Sequence, residues 1–274
     1  MFVAEQADLE DQSPLDHALA ERDRGVVAMV RQAIDHQRFR LAYQPVVRTQ
    51  TPQRRPAYYE GLIRILDGTG RIIPARDFMA TVETQELGRR IDCMALDLAL
   101  GALKQYPNLR LAVNLSARSL GFPGWTRRLE RALGATPGMG ERLILEISED
   151  SAMTMPDMVA VFMEEWQPQG VAFALDNFGA GYTAFRHFRE CFFDMVKIDP
   201  QFIRGIHESS ENQVLCAALI SVARHFEMFT IAEAVENAQE AAVLTELGVD
   251  CMQGYLFAGP STQPPWMGRK RRGG

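Results

Sequence analysis

The feature that most constrains this chain is a regular alternation of short apolar segments with longer segments of helical spacing. From residue 109 onward, a helical stretch separates each strand-like run from the next, and the runs are 109–116, 143–148, 171–178, 195–199, 229–235 and 251–257. Most of these runs are nearly all apolar, which is typical of parallel strands that helices cover on both faces. The pattern therefore predicts a parallel α/β domain.

Two further strand-like runs, 41–47 and 58–65, come first, and a helical stretch over 75–106 follows them. The connection between the two runs contains two prolines and has no helical pattern. It is too short for a helical crossover, so we expect these two strands to pair antiparallel. Eight strands and their helices in 274 residues match the size of a (β/α)8 barrel.

No linker interrupts this series, so we predict a single barrel domain over 13–265. A flexible acidic leader, 1–12, would precede it, and a disordered basic tail, 266–274, would follow. Ser13 and Pro14 resemble the start of a helix that runs to residue 37. That helix is either the remnant of a linker to a regulatory domain or the helix that closes the bottom of the barrel, and we prefer the second interpretation.

Composition excludes several classes of protein. The formal net charge is -6, which argues against DNA or RNA polymers as partners. The longest nearly unbroken apolar run, 214–223, is too short to predict a membrane span. The acidic amino terminus does not resemble a secretory signal, and the four cysteines lie far apart with no CxxC pair. Reduced thiols in a cytoplasmic protein are the better interpretation.

Polar side chains interrupt these apolar strands near their carboxyl ends. The set comprises Glu60, Arg64, Asn114, Glu146, Asp176, Asn177, Lys197, Glu233 and Gln253. In a barrel these ends converge on the face that carries active sites. Carboxylate and amide oxygens suit hard divalent cations, and an arginine suits a phosphate. The set therefore indicates metal-assisted hydrolysis of a phosphoester with one or two ions.

The carboxylates alone leave another hypothesis about the function open. Glu146 and Glu233, at the ends of two strands, could also form the acid pair of a barrel glycosidase. Such an enzyme has no need of Lys197, Asp176 or Arg64, and it commonly lines its cleft with aromatic rings. Aromatic residues are sparse near these strand ends, so we regard this alternative as the weaker one.

Over about residues 38–260 the chain resembles the EAL domain family, the cyclic di-GMP phosphodiesterases of bacterial signalling. The EAL signature itself stands as EGLIR, with Gly61 in place of the alanine. The other motifs follow in the family's order: Tyr43-Gln44-Pro45, VNLS with Asn114, LEISE with Glu146 and Glu149, Lys197-Ile198-Asp199, AEAVE with Glu233 and Glu236, and Gln253-Gly254-Tyr255. The resemblance implies a TIM-like barrel whose first strand runs antiparallel.

The resemblance also implies roles for individual residues. Magnesium or manganese, as one or two ions, would be bound by Glu60, Asn114, Glu146, Asp176 and Asn177. Lys197 would orient or deprotonate the attacking water, Glu233 would complete the shell of metal and water, and Gln253 would lie near the nucleophile or the second metal. Ligand contacts would come from Gln44, Leu62 and Arg64, with Arg64 at a phosphate. The loop after the fifth strand would be ordered by Glu149, Glu236, Gly179 and Gly181.

One departure from the family pattern leaves two functions open. Active members carry DDFG(T/A)G where this chain reads DNFGAG, so Asn177 replaces an aspartate that helps to hold the second metal. An amide has no negative charge and should bind a divalent ion more weakly. The chain is then either a phosphodiesterase that produces pGpG or a catalytically impaired receptor of cyclic di-GMP. The family also makes a homodimer and control by a separate regulatory domain or protein reasonable expectations.

Overall fold

A computed structural model describes residues 14–51, 55–181 and 185–268. The predicted leader 1–12, Ser13 and the last six residues of the predicted tail lie outside this part of the chain. None of the described helices is both long enough and apolar enough to cross a membrane.

Eight strands form a closed barrel. Hydrogen bonding runs in the order β1-β9-β8-β7-β6-β5-β4-β2, and a β1–β2 pairing closes the ring. The strands are β1 Phe39–Arg48, β2 Pro56–Leu66, β4 Leu111–Asn114, β5 Leu143–Ser148, β6 Ala172–Phe178, β7 Met195–Ile198, β8 Phe229–Ala232 and β9 Cys251–Met252. Strand β1 runs antiparallel to both of its neighbours, and the remaining barrel pairs are parallel. The predicted barrel with an antiparallel first strand is confirmed.

Helices pack on the outside of this barrel. They are α1 Pro14–Asp35, α2 Met79–Val82, α3 Glu86–Gln105, α4 Pro123–Ala135, α5 Glu149–Thr154, α6 Pro156–Trp166, α7 Pro200–Ile203, α8 Ser210–His225 and α9 Ala238–Leu247. Short 3-10 segments cover Ala75–Asp77, Ala117–Ser119, Gly140–Arg142, Gln167–Gln169 and Phe185–Arg189. The largest core cluster fills the space between the strands and these helices, and it includes the buried rings of Trp125, Trp166 and Phe173.

The prediction of one helical stretch over 75–106 was wrong in its first part, where a 3-10 turn and the short helix α2 precede α3. Just before them, a ninth strand, β3 Ile72–Pro74, pairs antiparallel with the end of β2 outside the barrel. The break brings Val82 of α2 and Leu87 of α3 into one buried cluster. The helical stretch predicted between the runs 171–178 and 195–199 is a 3-10 segment, Phe185–Arg189, where it is described, and residues 182–184 lie outside the described part.

Helix α1 does not close the bottom of the barrel. Its second half buries Val30 and Ile34 against Phe39 and Ile65. Phe39 begins β1 and pairs with Ile65 near the carboxyl end of β2. Because β1 is reversed, the chain enters the barrel at the carboxyl end of the parallel strands, and α1 packs beside that end.

The predicted tail also begins too early, because Trp266 is part of the packed chain. Its indole lies edge-on to the rings of Tyr43, Tyr59 and Tyr106, with ring centroids 4.9, 5.7 and 4.8 Å apart. Such aromatic pairs add stabilisation beyond the apolar area that they bury. The packed domain therefore extends past residue 265.

A buried carboxyl group in α3 fixes the loop that follows β4. Asp92 Oδ2 accepts hydrogen bonds from Ser119 Oγ at 2.6 Å and from the backbone nitrogen of Ser116 at 3.3 Å. Burial raises the pKa of Asp92 to about 6, although the two hydrogen bonds oppose the shift. Folding therefore shifts Asp92 towards its protonated form relative to the unfolded chain.

We predict that Asp92 makes the free energy of unfolding depend on pH. Because its folded pKa lies above the unfolded value of 3.8, its contribution is complete below that value and is lost as the pH rises through about 6, at a cost of about 3 kcal/mol. Asp92→Asn should remove this loss. Urea unfolding of both proteins at about pH 4 and about pH 7 measures it, with the exposed Asp23→Asn as control. An equal pH dependence in all three proteins would contradict the prediction.

Candidate active site

Side chains on alternate positions of the strands point into the barrel, and the register stacks them in layers. A middle layer is apolar and includes Val46, Ala112, Ile144, Ala174 and Ile231. The next inward position along each strand towards the carboxyl end is polar: Gln44 lies opposite Glu60 in the β1–β2 register, and Asn114 lies beside Glu146. The strand pattern thus places most of the predicted polar set in one layer at the carboxyl mouth, with Arg64 farther along β2.

Lys197 lies at the centre of that layer and is 1% exposed. Its Nζ is 2.9 Å from Glu146 Oε2 and 2.9 Å from Glu233 Oε1. Glu60 Oε2 is 3.3 Å away and Asp176 Oδ1 is 3.4 Å away. One ammonium group therefore contacts four carboxylates that come from β2, β5, β6 and the end of β8.

Amide side chains hold Glu60 from the other side. Gln253 Nε2 donates to Glu60 Oε2 at 2.6 Å, and Asn114 Nδ2 donates to Glu60 Oε1 at 3.1 Å. Gln253 Nε2 also lies 3.2 Å from Gln44 Oε1, and Gln44 Nε2 donates to the carbonyl of Ala258. Both oxygens of Glu60 are thus engaged, which orients the carboxylate.

Three of these carboxylates, Glu60, Glu146 and Glu233, differ in their pKa. Burial raises the pKa of Glu60, but attraction to Lys197 and hydrogen bonds from Gln253 and Asn114 outweigh burial and leave the pKa lowered. Burial and then repulsion from Glu60 raise the pKa of Glu146 well above its usual range. Burial, which outweighs attraction to Lys197, raises the pKa of Glu233 to about 8. The site therefore separates one firmly ionised carboxylate from two that tend to hold protons.

Lys197 itself stays charged. Burial lowers the pKa of its ammonium group, but the surrounding carboxylates, with Asp176 and Glu146 first, outweigh burial and raise the pKa well above its usual range. A lysine in this state donates hydrogen bonds and carries positive charge. It is poorly suited to accept a proton near neutral pH.

The donor atoms of this layer fit a hard divalent cation. They are carboxylate and amide oxygens, the ligands that magnesium and manganese prefer. Glu146 Oε1 is buried and has no hydrogen-bond partner in the described part of the chain. Within those same described residues, no three acidic, histidine or cysteine side chains face one another at metal-holding distance. In this arrangement the carboxylates face Lys197 Nζ instead.

Asn177 lies at an irregularity of β6, where the register to β7 shifts between Leu175 and Phe178. Its φ is 57°, in the left-handed region, which asparagine tolerates better than most residues. Its Nδ2 donates to Asp176 Oδ2 at 3.3 Å. An aspartate in its place could not make this contact while both carboxyl groups were ionised.

The loop after β6 is held by Glu149, as the resemblance implied. Glu149 is 1% exposed, and its Oε2 accepts from the backbone nitrogen of Gly181 at 2.9 Å. Gly179 has a φ of 91°, and a Cβ there would lie 2.9 Å from the ring of Phe202. Gly179 is therefore required by the path of the loop, whereas a Cβ on Gly181 would make only an ordinary contact with Glu149 Oε2 at 3.5 Å.

The side chain of Glu236 is exposed, and its expected role in ordering the loop after β6 stays a prediction. A carboxylate that sequence reasoning missed, Glu240, orders a different part of the chain, the segment before α9 and the turn at Gly205. Glu240 Oε1 accepts from Gly205 N and Oε2 accepts from Glu236 N, both at 2.8 Å. Asn237 and Glu240 also form a capping box at the start of α9. An asparagine followed three residues later by glutamate is the signal that could have identified Glu240.

Backbone contacts fix the position of Gln253. Its nitrogen donates to the carbonyl of Ala232 at 2.8 Å, and its carbonyl accepts from Val235 N at 3.0 Å. A Cβ on Gly254 would lie 2.1 Å from the carbonyl oxygen of Val235. The chain segments after β8 and β9 can pack this closely only because residue 254 is glycine.

Leu62 and Arg64 continue along β2 from Glu60, on the same face and nearer the mouth. Arg64 is half-buried, and its Nη1 donates to the carbonyl of Ile63 at 2.9 Å. Four residues of strand place Arg64 about 13 Å beyond Glu60 along the backbone. These two residues are therefore outside the contact shell of Lys197, at the rim of the site.

We predict that Lys197→Met destabilises the protein severely. The substitution leaves four buried carboxylates without their cation, which should lower the free energy of unfolding by about 3–5 kcal/mol. Urea unfolding near pH 7 measures the loss, and the exposed Lys104→Met in α3 is the matched control. The loss should shrink as the pH falls, because protonated carboxyl groups need no counter-charge. Equal stability of the two variants would contradict this account of the site.

The chain is similar to curated proteins named as cyclic di-GMP phosphodiesterases. It is 29% identical over 235 residues to PdeF of Escherichia coli (strain K12), which is 84% of this chain and 31% of the relative. It is 29% identical over 238 residues to PdeR of the same organism, again 84% of this chain and 35% of the relative. The chain thus spans about a third of the length of these relatives.

Solved structures of similar architecture include the FimX EAL domain from Pseudomonas aeruginosa bound to c-di-GMP. That domain has a TM-score of 0.79 and 28% identity, with 86% of this chain and 96% of that chain covered. A complex of PaMucR phosphodiesterase with c-di-GMP has a TM-score of 0.77 and 27% identity, with 86% and 97% covered. The family model of the EAL domain matches residues 27–260. This chain therefore belongs to the EAL domain family.

Proposed function

We propose that this protein binds cyclic di-GMP at the carboxyl mouth of the barrel and hydrolyses it to pGpG with magnesium or manganese. The observation that carries the proposal is the layer of four carboxylates around the buried ammonium of Lys197. Similarity to phosphodiesterases and to domains solved with c-di-GMP supports the choice of substrate. The antiparallel β1 and the motifs at the strand ends make other barrel hydrolases, including glycosidases, a weaker explanation.

In the proposed mechanism, Glu60, Asn114, Glu146 and Asp176 would hold the first ion, and Asn177 would contribute an amide oxygen towards a second. A bound divalent ion supplies positive charge that activates water and neutralises phosphoryl oxygens. Glu146 and Glu233 hold their protons in the absence of such a charge, so loading with metal should release protons.

The residues of the chain itself have three tasks. Lys197 remains protonated, so its role is to orient the water and the carboxylates and not to act as the base. Glu233, with a pKa of about 8, is the group in the site whose proton is most easily exchanged near neutral pH. Gln253 and Asn114 fix the orientation of Glu60, and Gln44 supports Gln253. At the rim, Leu62 and Arg64 contact the ligand, with the guanidinium at a phosphate.

A receptor without turnover is the second candidate, and Asn177 is the observation that favours it. Asn177 carries no negative charge. Its amide nitrogen also donates to Asp176 Oδ2 and so occupies one oxygen of a proposed metal ligand. Binding of cyclic di-GMP could then persist while hydrolysis is slow. The two candidates share the ligand and differ only in turnover.

We also propose the cellular setting that the resemblance implies: a cytoplasmic protein, a homodimer, and control by a regulatory domain or protein. The exposed apolar side chains of Met158 and Val161 on α6 and of nearby Phe192 support an interface on that side of the barrel. Helix α6 leads into β6, and Phe192 lies between β6 and β7; the helices and loops around these two strands form the dimer surface in the family.

The test is to incubate the purified protein with cyclic di-GMP and manganese and to follow pGpG by chromatography. Glu60→Ala should lower turnover by roughly 100-fold or more, because it removes a metal ligand and the partner of Lys197. The exposed Glu130→Ala on α4 should leave turnover unchanged. Asn177→Asp should raise turnover by restoring a charge beside the ion.

Binding of cyclic di-GMP is measured in parallel by calorimetry. Binding without turnover in the wild type, with cleavage regained in Asn177→Asp, would establish the receptor. Absence of binding in the folded wild type and in Asn177→Asp would refute both candidates.

A further inference from the structure

A cavity opens at the amino-terminal mouth of the barrel, on the far side of the apolar layer from Lys197. Its volume is about 370 Å³, which is within the range of sites for small molecules. Ile144, Met195 and Ile231 form apolar walls at its inner end. The function proposed above does not use this cavity.

The phenol of Tyr58 lines this cavity and lacks a partner. Tyr58 is 6% exposed, and its hydroxyl is buried with no hydrogen-bond partner in the described residues 14–51, 55–181 and 185–268. An unpaired buried hydroxyl costs about 1–3 kcal/mol. The hydroxyl is closed off from the cavity, so it is the ring of Tyr58 that forms part of the wall.

The rim of the cavity carries more positive than negative charge. Arg48 ends β1 and Arg110 precedes β4, and both are exposed. The acid in the lining is Asp250, whose Oδ2 already accepts from the nitrogen of Thr230 at 2.9 Å and from its hydroxyl at 2.7 Å. The lining thus has two guanidinium groups and one carboxylate that is already hydrogen-bonded. This balance suits an anionic ligand, because the planar guanidinium forks match carboxylate and phosphate oxygens.

The entrance also has an apolar wall. Phe229, the first residue of β8, lines the cavity and is 63% exposed. Large exposed aromatic side chains beside a cavity are common at binding sites. A ligand that inserts past Phe229 would be apolar at its inner end and charged at its outer end.

We propose that this cavity binds a small anionic amphiphile with a ring-sized apolar body. The body lies against Ile144, Met195, Ile231 and the ring of Tyr58, and Arg48 and Arg110 hold its carboxylate or phosphate. The site is separate from the carboxylate layer and does not require the chain to be a phosphodiesterase.

The test uses 8-anilinonaphthalene-1-sulfonate as a fluorescent probe, with the whole protein and a metal chelator present. We expect saturable binding of one probe per chain, and displacement by benzoate or phenyl phosphate but not by phenol at the same concentration. The more effective of the two competitors identifies the anionic group that the site prefers. Arg110→Gln and Arg48→Gln should each weaken probe binding by roughly tenfold.

The matched control is Arg127→Gln, a substitution of an exposed arginine on α4 that should leave probe binding unchanged. Tyr58→Phe is a second control, because it removes only a hydroxyl that is closed off from the cavity and should leave displacement by phenyl phosphate or benzoate unchanged. Equal affinity of the wild type and both arginine variants for the probe would overturn the proposal. Displacement of the probe by cyclic di-GMP alone would also overturn it, because the probe would then occupy the carboxyl mouth.

Discussion

The site depends on one buried ammonium group. Four acidic side chains from four different strands could not share the interior of a barrel at neutral pH without a cation among them, since their mutual repulsion and desolvation would drive protons onto them. Lys197 supplies that cation within 3.4 Å of each. Even so, burial raises the pKa of Glu146 and Glu233, so one positive charge does not fully compensate the group. The residual imbalance is the physical basis for expecting affinity for divalent ions.

The barrel makes this arrangement available because side chains alternate along each strand and the register is staggered. Glu60 and Tyr58 are two positions apart on β2, and both point into the barrel: Glu60 contacts the ammonium, whereas Tyr58 belongs to the apolar layer and lines the opposite cavity. That layer also includes Ala112 and Ala174, which are small. One set of eight strands thus separates a charged mouth from an apolar one.

Much of this could be predicted from the sequence. Strand β5 was placed with the observed bounds, because Leu143–Ser148 is a short apolar run. The reversed β1 followed from the short connection to β2. The order of polar residues at strand ends then identified the layer around Lys197.

What failed had little local signal. Helix α2 is only Met79–Val82, and the break before α3 is specified by packing rather than by a helix-breaking residue. Trp266 lies in a stretch of prolines and glycines, and its burial against three tyrosines depends on contacts distant in sequence. The unpaired hydroxyl of Tyr58 and the exposure of Glu236 are likewise properties of tertiary structure.

The reversal of β1 has a mechanical consequence. Phe39 joins α1 to the barrel at the end of β2 that also carries Arg64. A shift or rotation of α1 would therefore act first on the rim of the carboxyl mouth, because only a few packed side chains separate the helix from it. In a barrel with eight parallel strands, a helix that leads into the first strand would act on the opposite end. Here the leading helix packs instead beside the carboxyl mouth, the end that holds the layer around Lys197.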